Sequence, residues 1–252
     1  PKRDWSSDVC SSDLVTATGP AKTYGTALTA GVSSTNFSVS GTLASGESVT
    51  GVTLTPNAAG LSATTAAGGA YTVTPSLATG AGGFSTSNYT INYVDYSGTV
   101  ATAAVTVTAV AQTKTYGSTA PTSGVLTTHF TVSGLQGSDG ASGVTLGYSG
   151  TTAGNLAGAA VGSYTITPSA LVLSSGSTSN YTITYATGTL TVNPAALTVT
   201  ATGPAKTYGT ALTAGVSSTN FSVSGTLASG EDRKSTRLNS SHVSESRMPS
   251  SA

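Results

Sequence analysis

Lys22-Thr23-Tyr24-Gly25 is the stretch that sets the organisation of this chain, because the same four residues return at 114–117 and at 206–209. The motif recurs every 92 residues, and residues 15–47 are identical to residues 199–231. A fixed period of this kind is typical of a tandem array in which each period forms one small domain. The sequence therefore predicts repeat units over residues 15–104, 105–196 and 197–231, with the third unit truncated.

The two ends of the chain do not follow the repeat. Codons for residues 4–14 and for residues 232–242 can be chosen so that the two DNA strings are almost entirely reverse complements of each other. Such a pair resembles translated sequencing-library adapters, so residues 1–14 and 232–252 are interpreted as an artefact and left out of the fold. Cys10 falls in these ends, which leaves no native cysteine for a disulfide and no indication of the redox compartment.

Charge is scarce in the biological segment, residues 15–231. Its charged residues are the three motif lysines together with Glu47, Asp95, Asp139 and Glu231. Nucleic-acid binding needs clustered Lys and Arg, so the composition excludes that class of partner. No apolar run approaches the roughly 20 residues of a membrane helix, so no membrane span is expected in this fragment.

Apolar residues alternate with Thr or Ser along most of the segment, a pattern typical of short, half-buried strands. The sequence predicts a mainly β fold of tandem small β-domains in an extended array. A single helical turn near residues 45–47 and 137–143 would suit a β-grasp-like sheet, whereas its absence would suit a small sandwich; both remain open. The junctions at 100–107 and 193–196 are too short to act as flexible linkers. The strands are expected at residues 37–39, 52–54, 71–73, 89–93, 130–132, 144–146, 164–166, 181–185 and 190–192.

The repeats resemble the MBG domains marked by a Tyr-Gly motif, which occur in tandem in large bacterial surface proteins and adhesins. The resemblance rests on residues 114–117, on Ser-Asn-Tyr-Thr-Ile-Thr-Tyr at 179–185 and on Gly-Thr-Leu-Thr-Val at 188–192. The first unit departs from the pattern at residues 95–102, where its last strand is expected. The resemblance implies a β-rich, secreted, surface-located protein and carries no catalytic residues.

Two roles are weighed for the repeated motif, and the structural one is favoured. In that interpretation the tyrosines pack their rings and satisfy their hydroxyls locally, the glycines turn the chain with positive φ, and the lysines keep an edge strand from pairing with other chains. The alternative is a ligand site with the ammonium as anion donor and the ring as a sugar platform. The residues concerned are Lys22, Tyr24 and Gly25, Lys114, Tyr116 and Gly117, and Lys206, Tyr208 and Gly209.

The segment lacks the combinations of side chains that catalysis requires. His129 has no second His, Cys or nearby carboxylate, so neither a metal site nor general base catalysis is expected, and no cofactor is predicted. Asn-x-Ser/Thr matches such as Asn180 are interpreted as turn residues. One chemical alternative is a Lys114–Asn180 isopeptide cross-link with Asp139 as the buried acid. The chain is expected not to be an enzyme.

The function predicted from the sequence is a stalk of a secreted bacterial surface adhesin that holds a distal adhesive domain away from the cell. Its expected partners are neighbouring repeats of the same chain. The alternative is a carbohydrate- or mucin-binding module that acts by avidity on host or environmental glycans. Tyr96 and Tyr148 lie near turn glycines and are the residues expected to contact a sugar. An enzyme accessory domain would differ only in what lies outside the fragment.

Overall fold

The structure is a computed structural model, and it describes residues 13–217, 219–225 and 227. Strands account for most of the regular structure of this part, so the predicted mainly β fold is confirmed. The interpreted adapter segments lie outside the described residues, except for residues 13 and 14, which begin the first strand. Glu231 also lies outside them.

The first repeat forms two sheets. In one, β1 is central, antiparallel to β3 and parallel to β6. In the other, antiparallel pairing gives the order β2-β4-β5-β7. The last of these strands, which the departure at residues 95–102 put in question, is present. The strands are β1 (Asp13–Ala17), β2 (Gly31–Ser33), β3 (Phe37–Ser40), β4 (Ser48–Pro56), β5 (Ala70–Ala81), β6 (Ile91–Val94) and β7 (Tyr96–Thr99).

The second repeat has a matching set of strands. Here β8 is central, antiparallel to β11 and parallel to β14, as β1 is to β3 and β6. The short β10 pairs with β12, the first part of β13 pairs with β15, and β15 pairs in parallel with β9. The strands are β8 (Ala103–Ala109), β9 (Gln112–Thr115), β10 (Ser123–Gly124), β11 (Phe130–Ser133), β12 (Gly140–Tyr148), β13 (Gly162–Ser175), β14 (Tyr181–Ala186) and β15 (Gly188–Asn193).

The described residues form two compact units that interleave along the sequence. The first unit comprises residues up to 110, 123–146 and 167–187, so it holds the first repeat and the β8-centred sheet of the second. The second unit comprises residues 111–122, 147–166 and those from 188 onward. The repeat boundaries stated above stay predictions.

Buried and exposed residues alternate along the strands, and the buried ones form the core. In β8 the buried positions are Ala103, Val105, Val107 and Ala109, and the residues between them are exposed. Thr and Ser occupy most of the exposed positions because their small polar side chains suit a solvated, pleated face. The side chains below 2% relative exposure include Val15, Val52, Val73, Tyr71, Phe130, Ile166, Leu190 and Val192.

Of the two alternatives left open for residues 45–47 and 137–143, the one without a helical turn is observed. Residues 45–46 and 137–138 form turns, closed by Glu47 N–H to Ala44 O at 3.0 Å and by Asp139 N–H to Gln136 O at 3.0 Å, and a strand starts directly after each. The glycines on either side leave no room for a longer helix. A four-residue helix, α1 (Ala58–Leu61), lies elsewhere in the first repeat. The side chain of Asn57 caps it by accepting from Gly60 N–H at 2.9 Å.

The third repeat contains one hairpin in the described residues. Its strands are β16 (Leu197–Ala201) and β17 (Phe221–Gly225), which pair as β1 and β3 do. Every residue of β16 is exposed, and Val199 is 66% exposed where the identical Val15 is 1% exposed. Burial of the same sequence therefore depends on strands that come later in a repeat.

Candidate functional site

The lysine of the repeated motif points into its own repeat. Lys22 is 2% exposed, and its Nζ donates to the carbonyl oxygens of Thr26 and Ser62, the latter at 2.8 Å. The two carbonyls come from different loops, so one ammonium group holds both. Burial lowers the pKa of Lys22 below its usual value.

The second repeat contains the same arrangement. Lys114 is buried, and its Nζ donates to Ser118 O at 2.9 Å and to Leu156 O. Burial lowers its pKa as well. The interpretation of these lysines as charges that guard a strand edge is therefore wrong for Lys22 and Lys114, because each ammonium is buried and donates to a pair of loop carbonyls of its own repeat.

The backbone of the motif runs beside the last strand of its repeat. Val192 of β15 stands opposite Lys114 in a parallel ladder, and Tyr116 N–H donates to Asn193 O at 2.8 Å. In the first repeat Tyr24 N–H donates to Ala101 O at 2.9 Å. The buried lysine and the parallel pairing together hold the backbone of the motif in place. The tyrosine of the motif therefore projects from a rigid segment of backbone.

The glycine of the motif has a left-handed backbone, as the sequence predicted. Its φ is +86° at Gly25, +87° at Gly117 and +84° at Gly209. Gly25 has a second constraint, because a Cβ there would lie 2.4 Å from Cγ of Gln136 in the second repeat. Only glycine allows this approach of the two repeats.

Tyr24 joins the first repeat to the second. Its side chain is 8% exposed, and its hydroxyl donates to Oδ2 of Asp139 at 2.9 Å. Its ring meets the ring of Tyr181 edge to face, with centroids 5.4 Å apart and an interplanar angle of 85°. The prediction that this hydroxyl is satisfied locally is wrong, since its acceptor lies 115 residues further along the chain.

Asp139 accepts from a second phenol at the same oxygen. Tyr181 donates its hydroxyl to Oδ2 of Asp139, and that hydroxyl accepts from Gln136 N–H at 3.0 Å. Burial first, and then the hydrogen bond to Asp139, raise the pKa of Tyr181 to about 12. The same two causes in the same order raise the pKa of Tyr24. Both phenols are therefore held neutral against one carboxyl group.

Further polar contacts extend this contact between the first and second repeats, which we call the joint. Asn180 is buried and accepts from Ala67 N–H at 3.0 Å, and the hydroxyls of Thr102 and Thr182 lie 2.6 Å apart. Lys114 and Asn180, the pair considered for an isopeptide cross-link, thus engage other partners. We call Gln136, Asp139, Asn180 and Tyr181 the Tyr–acid socket, and residues 22–25 and their repeats the Tyr-Gly loop.

The first repeat contains a counterpart of this socket one period earlier. Tyr89 donates its hydroxyl to Glu47, and Ala44 N–H donates to that hydroxyl at 2.9 Å. Asn88 precedes Tyr89 as Asn180 precedes Tyr181, and both Asn residues end a short 3-10 turn. The acid, the turn that holds it and the tyrosine therefore occur in both repeats.

Neither tyrosine considered for sugar contact is a freely exposed ring. Tyr96 is half-buried in β7 and packs edge to face on Tyr71, with centroids 6.0 Å apart. Tyr148 is half-buried at the end of β12, and its hydroxyl donates to Pro121 O at 2.7 Å. Burial raises the pKa of Tyr148.

His129 closes a turn. The ring Nδ1 of His129 accepts from Val125 N–H at 3.0 Å, and the backbone N–H of His129 donates to Val125 O at 2.8 Å. Among residues 13–217, 219–225 and 227, no three His, Cys, Asp or Glu side chains are grouped to hold a metal ion. In the same part of the chain, no helix is long and apolar enough to cross a bilayer.

A shallow pocket of about 300 Å³ lies beside the Tyr-Gly loop of the second repeat. Thr115, Tyr116, Gly117 and Ser118 line one part of it, and Ala195 and Ala196 line the other. Hydroxyl groups are the polar side-chain atoms that this lining offers. The pocket therefore has none of the converging charged groups that would orient a polar ligand.

Sequence reasoning identified Tyr24 but missed Asp139 and Tyr181 as its partners. A signal for Asp139 was present, because Glu47 and Asp139 stand 92 residues apart in a chain with very few charges. Tyr89 and Tyr181 show the same spacing. Because the acid and the tyrosine both recur at this spacing, the sequence indicates that they pair with each other within a repeat.

These features define a β-rich repeat domain that buries a lysine to fix a loop and uses the adjoining tyrosine to contact the next repeat. Residues 105–191 match the family model described as MBG domain (YGX type), which confirms for this span the resemblance stated above. No curated protein and no solved structure matches the chain.

Proposed function

We propose that this chain is a non-catalytic stalk region of a secreted bacterial surface adhesin, in which successive repeats extend and present a distal adhesive domain. The observation that carries the proposal is the joint at Tyr24, where a packed ring and a hydrogen bond to Asp139 connect two repeats. A stalk needs such a joint because flexible linkers would let neighbouring domains reorient freely.

Two further features support the proposal. The second repeat matches a family of repeat domains that suggests a surface-protein repeat region. Its surface offers few charges and many Thr, Ser, Ala and Gly side chains, which suits a spacer that binds little. The tyrosine hydroxyls that could serve a ligand, those of Tyr24, Tyr148 and Tyr181, are engaged within the protein.

The test is a distance measurement between spin labels on the two repeats of the full chain. With Cys10 replaced by Ser, labels are placed at Val32 and Val172, which are 74% and 56% exposed. We expect a single narrow distance distribution, as narrow as that of a reference pair at Val32 and Leu77 within the first repeat. A broad distribution in the parent protein would contradict the stalk.

The joint itself is tested by Tyr24→Ser, which removes the ring and the hydroxyl together. We expect it to broaden the Val32–Val172 distribution and to leave the Val32–Leu77 reference pair unchanged. Tyr208→Ser is the matched control, because Tyr208 occupies the same motif position and is fully exposed. An equal effect of both substitutions would show that the joint does not set the angle between repeats.

A further inference from the structure

We propose that the first repeat carries a second Tyr–acid socket, formed by Ala44, Glu47, Asn88 and Tyr89, and that this socket binds the Tyr-Gly loop of another copy of the repeat. The proposal rests on the observed joint at Tyr24 and not on the stalk function. It identifies a docking surface, and its occupant is a repeat of this same sequence.

The first argument is the match between the two sockets. Glu47 corresponds to Asp139 and Tyr89 to Tyr181, and in each pair the phenol donates to the acid. The hydroxyl of each tyrosine also accepts a backbone N–H from the residue three positions before the acid, Ala44 at 2.9 Å in the first repeat. The acceptor groups that receive Tyr24 in the second repeat thus have counterparts with the same internal bonds.

The second argument is the change in burial that docking produces. Asn180 and Tyr181, which the first repeat covers, are each 6% exposed. Asn88 is exposed and Tyr89 is half-buried, although they end a 3-10 turn that matches the one ended by Asn180 and Tyr181. The surface of the first repeat is therefore accessible at the positions where the second repeat receives its neighbour.

The third argument is that the chain carries the occupant. The Tyr-Gly loop occurs in every repeat, and the loop of the second repeat is built on the same buried lysine as the loop that docks. Its Tyr116 is half-buried, with Gly117 at a φ of +87° matching Gly25. Loop and socket lie on different parts of one repeat, so the contact is heterologous and can add repeats without closing a ring.

Two differences separate the sockets and sharpen the test. Glu47 is one methylene longer than Asp139. Phe84 stands where the second repeat has Gly176, and its ring stacks on Tyr89 with centroids 5.4 Å apart and an interplanar angle of 18°. If the Phe84 ring occupied the place of the incoming tyrosine ring, the socket of the first repeat would be closed to another repeat.

The experiment adds one period to the full chain. A copy of residues 15–106 is inserted before Val15, so that Val-Thr precedes Val15 as it precedes Val107. Spin labels are placed at the added copy's counterpart of Val32 and at Thr79 of the original first repeat, in the Cys10→Ser background. We expect the mean and width of this distribution to match those of the Val32–Val172 pair, because the two joints are the same.

Two substitutions test the contact itself. Replacing the added copy's motif tyrosine with Ser, or Glu47 with Ala, should broaden the new distribution as much as Tyr24→Ser and Asp139→Ala broaden the original one. Phe84→Gly should leave it unchanged. A broad distribution in the extended chain, a narrow one that appears only with Phe84→Gly, or no response to the Tyr and Glu47 substitutions would each overturn the proposal.

A second extended chain covers the case in which the insert of residues 15–106 does not fold. It carries a copy of residues 107–198 before Val15, so that the Tyr116 loop is the one presented to the socket. Circular dichroism and cooperative urea unfolding check each protein. If the first extended chain folds, its distribution decides the proposal. If it does not fold, a narrow distribution in the second extended chain supports the proposal and a broad one overturns it. Loss of folding in both would count against it, since a linking socket must accept another repeat at this position.

Discussion

At the residue scale, adjacent side chains of one motif serve two different domains. Lys22 turns inward and binds two carbonyls of its own repeat, whereas Tyr24 reaches Asp139 of the next. Gly25 permits both, because its left-handed backbone and missing side chain let the loop lie against Gln136. The spacing of the motif thus couples the fold of one domain to the position of its neighbour.

The buried lysine gives the first prediction. Lys22→Met removes a charge that burial disfavours, but it also removes the ammonium donor from the carbonyls of Thr26 and Ser62 and leaves Ser62 O with only the 3.5 Å bond from Thr65 N–H. The second effect outweighs the first, since an unsatisfied buried polar group costs about 1–3 kcal/mol. We expect the free energy of unfolding of the first repeat to fall by about 1–2 kcal/mol, measured by urea denaturation.

Lys206→Met is the matched control for this change. Lys206 holds the same motif position but is exposed in the third repeat, so its loss is expected to change the unfolding free energy by less than about 0.5 kcal/mol. Equal effects at the two positions would show that the carbonyl contacts of Lys22 carry no stability.

Tyr181 gives a prediction about alkaline pH. Its pKa is raised to about 12 in the fold, against about 10 for an unperturbed phenol. A raised phenol pKa means that the fold prefers the neutral form, so its stabilising contribution is complete below about pH 10 and is lost as the pH rises through about 12. Ultraviolet titration of the full chain should show a late-ionising phenol that Tyr181→Phe removes.

Asp139→Asn separates the two causes of that shift. We expect it to lower the pKa of Tyr181 while leaving it above 10, because burial is the larger cause and the hydrogen bond to Asp139 the smaller. A late phenol that persists in Tyr181→Phe would mean that another tyrosine is responsible.

At the element scale, the strands followed from the alternation of Thr or Ser with apolar residues, and β3, β4, β5, β11 and β12 include their predicted residues. The sequence left a helical turn near Glu47 and Asp139 open because an acid among glycines fits a turn before a strand as well as a helix cap. The four-residue helix α1 is too short to give a periodic signal. The joint was missed because periodicity reveals which residues repeat but not which of them meet across repeats.

The third repeat gives a prediction at this scale. Residues 199–231 repeat residues 15–47, but β16 is exposed throughout, whereas β1 pairs on both sides with β3 and β6. A two-stranded hairpin is marginal in water, so its amides should exchange about 100-fold or more faster than those of β1 and β3.

Identical sequences make the measurement internally controlled. A peptide cut from inside residues 15–47 has the same mass as its counterpart from residues 199–231, so hydrogen exchange followed by mass spectrometry should show two isotope envelopes of equal size for one peptide. A single envelope at all exchange times would mean that both copies are equally protected, and the view of the third repeat as incomplete would be wrong.

At the scale of the whole molecule, the repeats use their aromatic residues to build and join domains. The hydroxyls of Tyr93 and Tyr185 accept backbone N–H groups of Ala78 and Leu171, each just after a residue with a left-handed backbone, and both bonds measure 2.9 Å. Tyr71 is buried and donates to Pro20 O. A sugar platform needs exposed rings with polar groups beside them, and these tyrosines are committed to the fold.

The final prediction separates the stalk from a glycan-binding module. We expect calorimetry and a glycan array with mucin-type and cell-wall sugars to detect no binding to the full chain tighter than about millimolar, equivalent to about −4 kcal/mol. Tyr148→Ala tests the ring considered for sugar contact, and Tyr208→Ala, at a fully exposed tyrosine, is its control. Micromolar binding that Tyr148→Ala abolishes and Tyr208→Ala preserves would replace the stalk with a binder, because a joint-building role gives the Tyr148 ring no reason to meet a sugar.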